Sequence, residues 1–161
     1  MIILLYMKED NTILNSDLQR PASDVHYKYP EIDRRFLMNP GCIGSFKNEW
    51  DTYVYTLNKK IVAILSHNEK YDSDILNLKL RVEDNMQLRD MYPNAIVEGY
   101  HMNKIHWSSV ILNKIDELPK NLVYELIDES YFLIFTGLTK KAQELISPTK
   151  RKEYEKRRHN I

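Results

Sequence analysis

Nine consecutive residues, Gly99-Tyr100-His101-Met102-Asn103-Lys104-Ile105-His106-Trp107, carry the densest set of reactive groups in the chain: two aromatic rings, two imidazoles, an amide and an ammonium. Amides and imidazoles can read base edges or phosphates, and aromatic rings can stack on bases. A purely structural role is the alternative. Trp107 opens an alternating strand whose next same-face residues are Ser109 and Ile111, so it is expected to be largely buried. His101 and Asn103 would then satisfy backbone groups of a tight loop.

No other motif points to catalysis. Ser66, Ser108 and Ser109 lie in or beside strands without a Gly-x-Ser-x-Gly elbow, and Cys42 has neither a papain-like nor a redox context. The histidines, His26, His67, His101, His106 and His159, form no His-Glu-x-x-His pattern. Acidic residues gather at Glu83, Asp84 and Asp90 and at Glu125, Asp128 and Glu129, where they read as solvated helix faces rather than metal ligands. Four glycines are too few for a phosphate-cradling loop. No enzyme, cofactor or metal is therefore expected.

The elements that must position the nonapeptide can be traced by period. Pro30–Met38 predicts a short helix with Pro30 in its first turn and Ile32, Arg35 and Phe36 on one face. Thr52–Leu57, Lys60–Ser66 and Ile75–Leu80 read as three strands of an antiparallel meander, turning at Asn58-Lys59 and over 67–74. A helix over Glu83–Tyr92 stops at Pro93. Ala95–Val97 and His106–Leu112 are further strand candidates. Pro119 opens a long helix to Phe135, and Thr139 caps another that runs to Ile146 and closes at Pro148. The fold class is α+β: a two-layer arrangement with an antiparallel sheet of about five strands and helices packed on one face.

At 161 residues and 19.2 kDa the chain can build a full core. Its 43% hydrophobic and 29% charged content excludes a disordered or collagen-like class. The single cysteine excludes an intramolecular disulfide and fits a reducing, cytoplasmic setting. Met1–Met7 is too short for a membrane span and lacks signal-peptide features, so no membrane association is expected. Net charge is 0 but unevenly spread: Lys150–His159 holds six basic and two acidic residues, leaving 17 basic and 21 acidic elsewhere. That tail is expected to be separable from the fold, since it follows Pro148 and lacks an apolar stripe beyond Tyr154.

The run Gly-Tyr-His-Met-Asn-Lys-Ile-His-Trp-Ser-Ser-Val at 99–110 resembles the signature of the MmcQ/YjbR family. Phe46–Trp50 and Lys59–Ala63 are similar to the family's first two strands, and Leu78–Leu80 to its third. Leu118-Pro119, Leu126–Tyr131 and Gly137–Lys141 extend the likeness through two helices. The resemblance covers residues 45–146. It implies a small bacterial α+β protein, with a two-layer fold similar to frataxin, of a kind described as DNA-binding through two β-hairpin wings. Of the two meander connections, the one at Asn58-Lys59-Lys60 is basic, whereas 67–74 sets Lys70 against Glu69, Asp72 and Asp74 and repels phosphate.

The sequence thus divides into an N-terminal extension, 1–44, a family-like domain, 45–147, and a basic tail, 148–161. The expected function is a non-enzymatic binding module with weak, sequence-independent affinity for DNA. Phosphate contacts are expected from Lys59, Lys60, Lys79, Lys104, Lys140 and Lys141, and hydrogen bonds from His101 and Asn103. Lys150, Arg151, Arg157 and Arg158 of the tail would supply long-range attraction. The rival expectation is a protein-interaction or homodimerising module without a nucleic-acid role.

Overall fold

The computed structural model describes residues 25–159. The expectations placed on Met1–Met7, and on the rest of the extension up to residue 24, lie outside the described residues.

Six antiparallel strands form one sheet in the order β1-β2-β3-β4-β6-β5: β1 (Cys42–Lys47), β2 (Thr52–Leu57), β3 (Lys60–Asn68), β4 (Ser73–Lys79), β5 (Ile96–Glu98) and β6 (Trp107–Ile111). The meander expected over β2, β3 and β4 is present. β1 escapes the periodic pattern, and the first strand that the resemblance implies, Phe46–Trp50, overlaps it only at Phe46 and Lys47. Gly44 and Ser45 dilute its apolar alternation, and Pro40 just before it obscures the period. The boundary expected between 44 and 45 therefore falls inside a strand.

Among the described residues five α-helices accompany the sheet: α1 (Pro30–Met38), α2 (Val82–Met91), α3 (Leu122–Thr136), α4 (Lys140–Ile146) and α5 (Pro148–His159). α1 carries Pro30 in its first turn and buries Ile32 and Phe36, as their spacing predicts. Phe36 stacks on Tyr55 with ring centroids 4.0 Å apart. The long helix starts later than Pro119: Leu112–Glu117 winds as a separate 3-10 segment, and α3 begins at Leu122. Thr139 caps α4 by accepting from the Ala142 amide at 3.1 Å.

The core lies between α1, α3 and one sheet face, made by Tyr55, Leu57, Ala63, Leu65, Leu76, Leu78 and Val110 against Ile127, Tyr131 and Phe135. The opposite face, carrying Thr52, Val54, Ile64, Ser66, Asn77, Lys79, Trp107 and Ser109 by register, has no helix of the described residues on it. A bulge between β2 and β3 pairs Thr56 with Ile61 and Tyr55 with Ala63, so Val62 is the extra residue. Its carbonyl is left free of the ladder and accepts from the buried Ser130 hydroxyl of α3 at 2.7 Å.

The tail differs from its expectation. It forms α5, and Tyr154 is buried edge-on against Phe132 and Phe135 of α3, at 4.7 and 5.4 Å between centroids. Arg157 lies over the Phe132 ring at 3.9 Å and donates to Glu129 at 2.6 Å. One aromatic residue suffices to dock a segment of about three turns, and a stripe count does not register it.

Candidate functional site

The twelve residues expected at a nucleic-acid site divide between the two layers. Asn58 and Lys59 both have positive φ, 49° and 66°, and join Leu57 to Lys60 by a two-residue hairpin turn. Register places this tip, the end of β4 at Lys79 and the start of β6 at Trp107 toward one end of the sheet. The loop bearing His101, Asn103 and Lys104 leads into that same end. Lys140 and Lys141 open α4, and Lys150, Arg151, Arg157 and Arg158 ride on α5, all in the helical layer.

Three of the tail's six basic residues are already matched. Lys150 pairs with Glu153 at 3.3 Å, Arg151 with Glu144 at 3.3 Å and Glu155 at 2.9 Å, and Arg157 with Glu129. Lys104 meets Glu98 at 3.2 Å. Among the described residues Lys47, Lys59, Lys60, Lys79, Lys140, Lys141 and Arg158 have no ion pair. A charge run in a sequence does not reveal which partners the fold will bring to it.

The loop of residues 99–106 is pinned from two sides onto the helix-free face. Asn77, 1% exposed on β4, accepts from the Tyr100 amide at 3.1 Å and donates to the Tyr100 carbonyl at 3.4 Å. The Ser109 hydroxyl donates to Asn77 and accepts from the same amide at 3.2 Å. From the other side Asn85 of α2 donates to the Leu80 and Ile105 carbonyls at 3.1 and 2.9 Å and accepts from Ser108 at 2.6 Å. Arg89 of α2 donates to Ser108 and to the carbonyls of Lys104 and Trp107. Burial pushes the Arg89 guanidinium below its ordinary value, and the Glu98 charge opposes that. Gly99 permits the close approach: a Cβ there would lie 2.7 Å from Trp107 Cβ. Much of the signature is thus scaffold. Ser108 and Ser109 are hydrogen-bonded posts, Asn103 accepts from the Ile105 amide at 2.9 Å, and Trp107 is 8% exposed. Trp107 is buried on the helix-free face, outside the main core.

What this scaffolding presents is Tyr100, 46% exposed, with the ring of His101 3.9 Å from its own. His101 has φ of 56°, a left-handed backbone that histidine adopts more readily than most residues. Facing this pair is Trp50, 60% exposed, on the turn between β1 and β2. Between them a trough of about 570 Å³ has a floor formed by Ile61, Ile64, Thr52 and Ser66, with Asp51 and Met102 on the rim. Lys47, paired with Thr52 across β1 and β2, and Lys79, two residues beyond Asn77, put ammonium groups on the same face. Trp50, Lys47, Thr52 and Ser66 were not singled out as site residues from the sequence. Trp50 carries the one available signal, a large aromatic next to acidic and amide turn residues, where no core needs it.

The trough offers stacking, an apolar floor, three hydroxyls, two imidazoles, one amide and one carboxylate, and among the described residues no hydrogen bond joins a hydroxyl of the lining to an imidazole. Cys42 is buried in the core, and desolvation together with the Asp33 charge pushes its thiol up to about 12. Among the described residues no group of three or more His, Cys, Asp and Glu side chains could hold a metal ion.

Comparisons with known proteins agree with this architecture. The family model described as YjbR matches residues 37–133. The chain is similar to the uncharacterized protein YbdF of Escherichia coli O157:H7, 34% identical over 103 residues, covering 64% of this chain and 79% of that one. It is similar to the uncharacterized protein YyaQ of Bacillus subtilis strain 168, 43% identical over 87 residues, covering 49% and 70%. Among solved structures, that of a Deinococcus radiodurans protein with the domain DUF419 superposes with a TM-score of 0.64 at 27% identity, over 73% of this chain and 86% of that one.

Proposed function

The chain belongs to the YjbR family, and from that footing we propose that it is a non-enzymatic binding module for single-stranded nucleic acid, which lies along the helix-free face. The observation that carries this reading is the pair of exposed aromatic residues, Trp50 and Tyr100, on opposite walls of one trough. An aromatic ring held at the surface by a buried hydrogen-bond network is a stacking platform, and stacking of a base on such a ring contributes about 1–3 kcal/mol. Duplex bases are stacked and paired internally and cannot enter the trough, so single strands fit better than the duplex expected from hairpin wings.

Lys47 and Lys79 supply phosphate contacts on the same face, with Lys59 and Lys60 at the hairpin tip beyond. Few cations and a net charge of 0 make the binding weak and salt-sensitive. The C-terminal helix contributes less than its composition implies, because Lys150, Arg151 and Arg157 are held by glutamates.

The test is anisotropy of labelled single-stranded and duplex oligonucleotides across a salt series. Trp50→Ala and Tyr100→Ala are each expected to weaken single-strand binding about tenfold, in line with the stacking energy above. Lys47→Ala and Lys79→Ala should each lower the slope of log affinity against log salt by about 0.7. Equal affinity for duplex, unchanged by the aromatic substitutions, would remove this face from consideration. A second reading, self-association through the same face, is favoured by Ile43, which is 63% exposed there on the edge strand β1. Sedimentation of Ile43→Lys beside the parent protein decides it: a dimer that dissociates on substitution supports that reading.

A further inference from the structure

We propose that the trough is a pocket for one nucleobase and that it selects bases bearing an exocyclic amino group, adenine and cytosine in particular, over thymine and uracil. The inference rests on the single-strand reading and deepens it.

Ser66 carries the argument. It is 6% exposed on β3, its side chain faces the trough floor, and its hydroxyl has no hydrogen-bond partner among the described residues. Beside it, one step past the paired residues Tyr53 and Leu65, sits Thr52, whose Oγ1 is buried without a partner, a costly state that the accessible Ser66 hydroxyl does not share. Two neighbouring hydroxyls thus lie on the same patch of floor, the Ser66 oxygen open to the trough and the Thr52 oxygen buried and unsatisfied.

The third group is Asp51, which lines the trough and has no ion pair among the described residues. A carboxylate only accepts hydrogen bonds, whereas a hydroxyl both donates and accepts. A flat ring between Trp50 and Tyr100, resting on Ile61 and Ile64, would present its polar edge to these groups. Cytosine and adenine offer an amino donor beside a ring-nitrogen acceptor. The amino group would donate to Asp51, and the ring nitrogen would accept from Ser66. The pairing edge of thymine or uracil places carbonyl oxygens where the amino group would be, and a carbonyl against a carboxylate is repulsive. A site built to accept a donor rejects the analogue lacking it more strongly than stacking alone discriminates.

The test titrates the full chain with oligo-dC, oligo-dA and oligo-dT of one length, their ribose counterparts oligo-rC and oligo-rU, and an abasic strand. Melting curves confirm that each variant is folded. Oligo-dC and oligo-dA are expected to bind about fivefold tighter than oligo-dT, with the same order for the ribose strands and the abasic strand weakest. Ser66→Ala should weaken dC and dA and spare dT. Asp51→Asn, which suits the positive φ of 51° at that position, should abolish the preference. Equal affinity for all bases, unaltered by either substitution, overturns the pocket and leaves the single-strand reading standing. If no strand binds, cytidine and uridine are titrated against Trp50 fluorescence, with Trp50→Phe as the control that isolates Trp107. Saturable quenching by cytidine alone keeps the pocket while the strand reading falls. No quenching by either removes both.

Discussion

Ser130 is fully buried in α3, and its hydroxyl donates to the Val62 carbonyl and accepts from the Lys79 amide at 3.0 Å. One side chain thereby bridges β3 and β4 beside the bulge, where the ladder ends at Ala63 and Leu78. Removing it would orphan both a buried acceptor and a buried donor, each of which costs about 1–3 kcal/mol. Ser130→Ala should therefore destabilise the protein by roughly 2–4 kcal/mol, measured as a lower urea midpoint at unchanged slope. Ser130→Cys, which restores only a weak donor, should recover little of it. The sequence offers no sign of this role. A serine within an apolar helical stripe reads as an imperfection until the bulge opposite it is known.

The elements differ in how much of themselves the sequence discloses. β2, β3 and β4 were legible because alternation and a two-residue turn act within a dozen neighbours, and α1 and α4 because proline and threonine mark their starts locally. β1 and α5 were not, since each depends on a distant partner: β1 on the ladder to β2, α5 on the pocket beneath Tyr154. The site divides along the same line. His101, Asn103 and Lys104 sit in a conspicuous motif, while Trp50 and Ser66 become site residues only when two turns and three strands are assembled. For α5 the consequence is measurable. Truncation after Ile146 would uncover Phe132 and Phe135 and release Arg157 from Glu129. The loss should be about 3 kcal/mol, near that of deleting one buried aromatic residue. That corresponds to a fall in Tm of about 10 °C. An unchanged Tm would restore the independent tail expected from the sequence.

Across the whole molecule, several acids are held neutral in the interior. Tyr55, Tyr131 and Tyr154 are pushed well above the ordinary tyrosine value, chiefly by burial, and Cys42 is raised to about 12 for the same reason. Their unfolded values are near 10.0 and 9.0, so above those the unfolded chain loses protons that the folded one keeps. The stability these groups protect is complete below about pH 9 and declines as the pH rises toward their folded values. The decline is roughly 1.4 kcal/mol per pH unit for each group in play. Thermal melts at pH 8, 10 and 11 should show a small first drop and a larger second one, with tyrosinate absorbance from the buried rings appearing only as the protein unfolds. The order β1-β2-β3-β4-β6-β5 carries a temporal consequence as well. The first four strands are chain neighbours joined by short turns, whose closure entropy is small, whereas β6 must find β4 across some thirty residues. One wall of the trough, at Trp50, belongs to the early hairpins, and the other, at Tyr100, waits for β6 to dock. In stopped-flow refolding the hairpin signal should lead and the Tyr100 wall should trail, making the ligand-competent face the last region of the fold to mature.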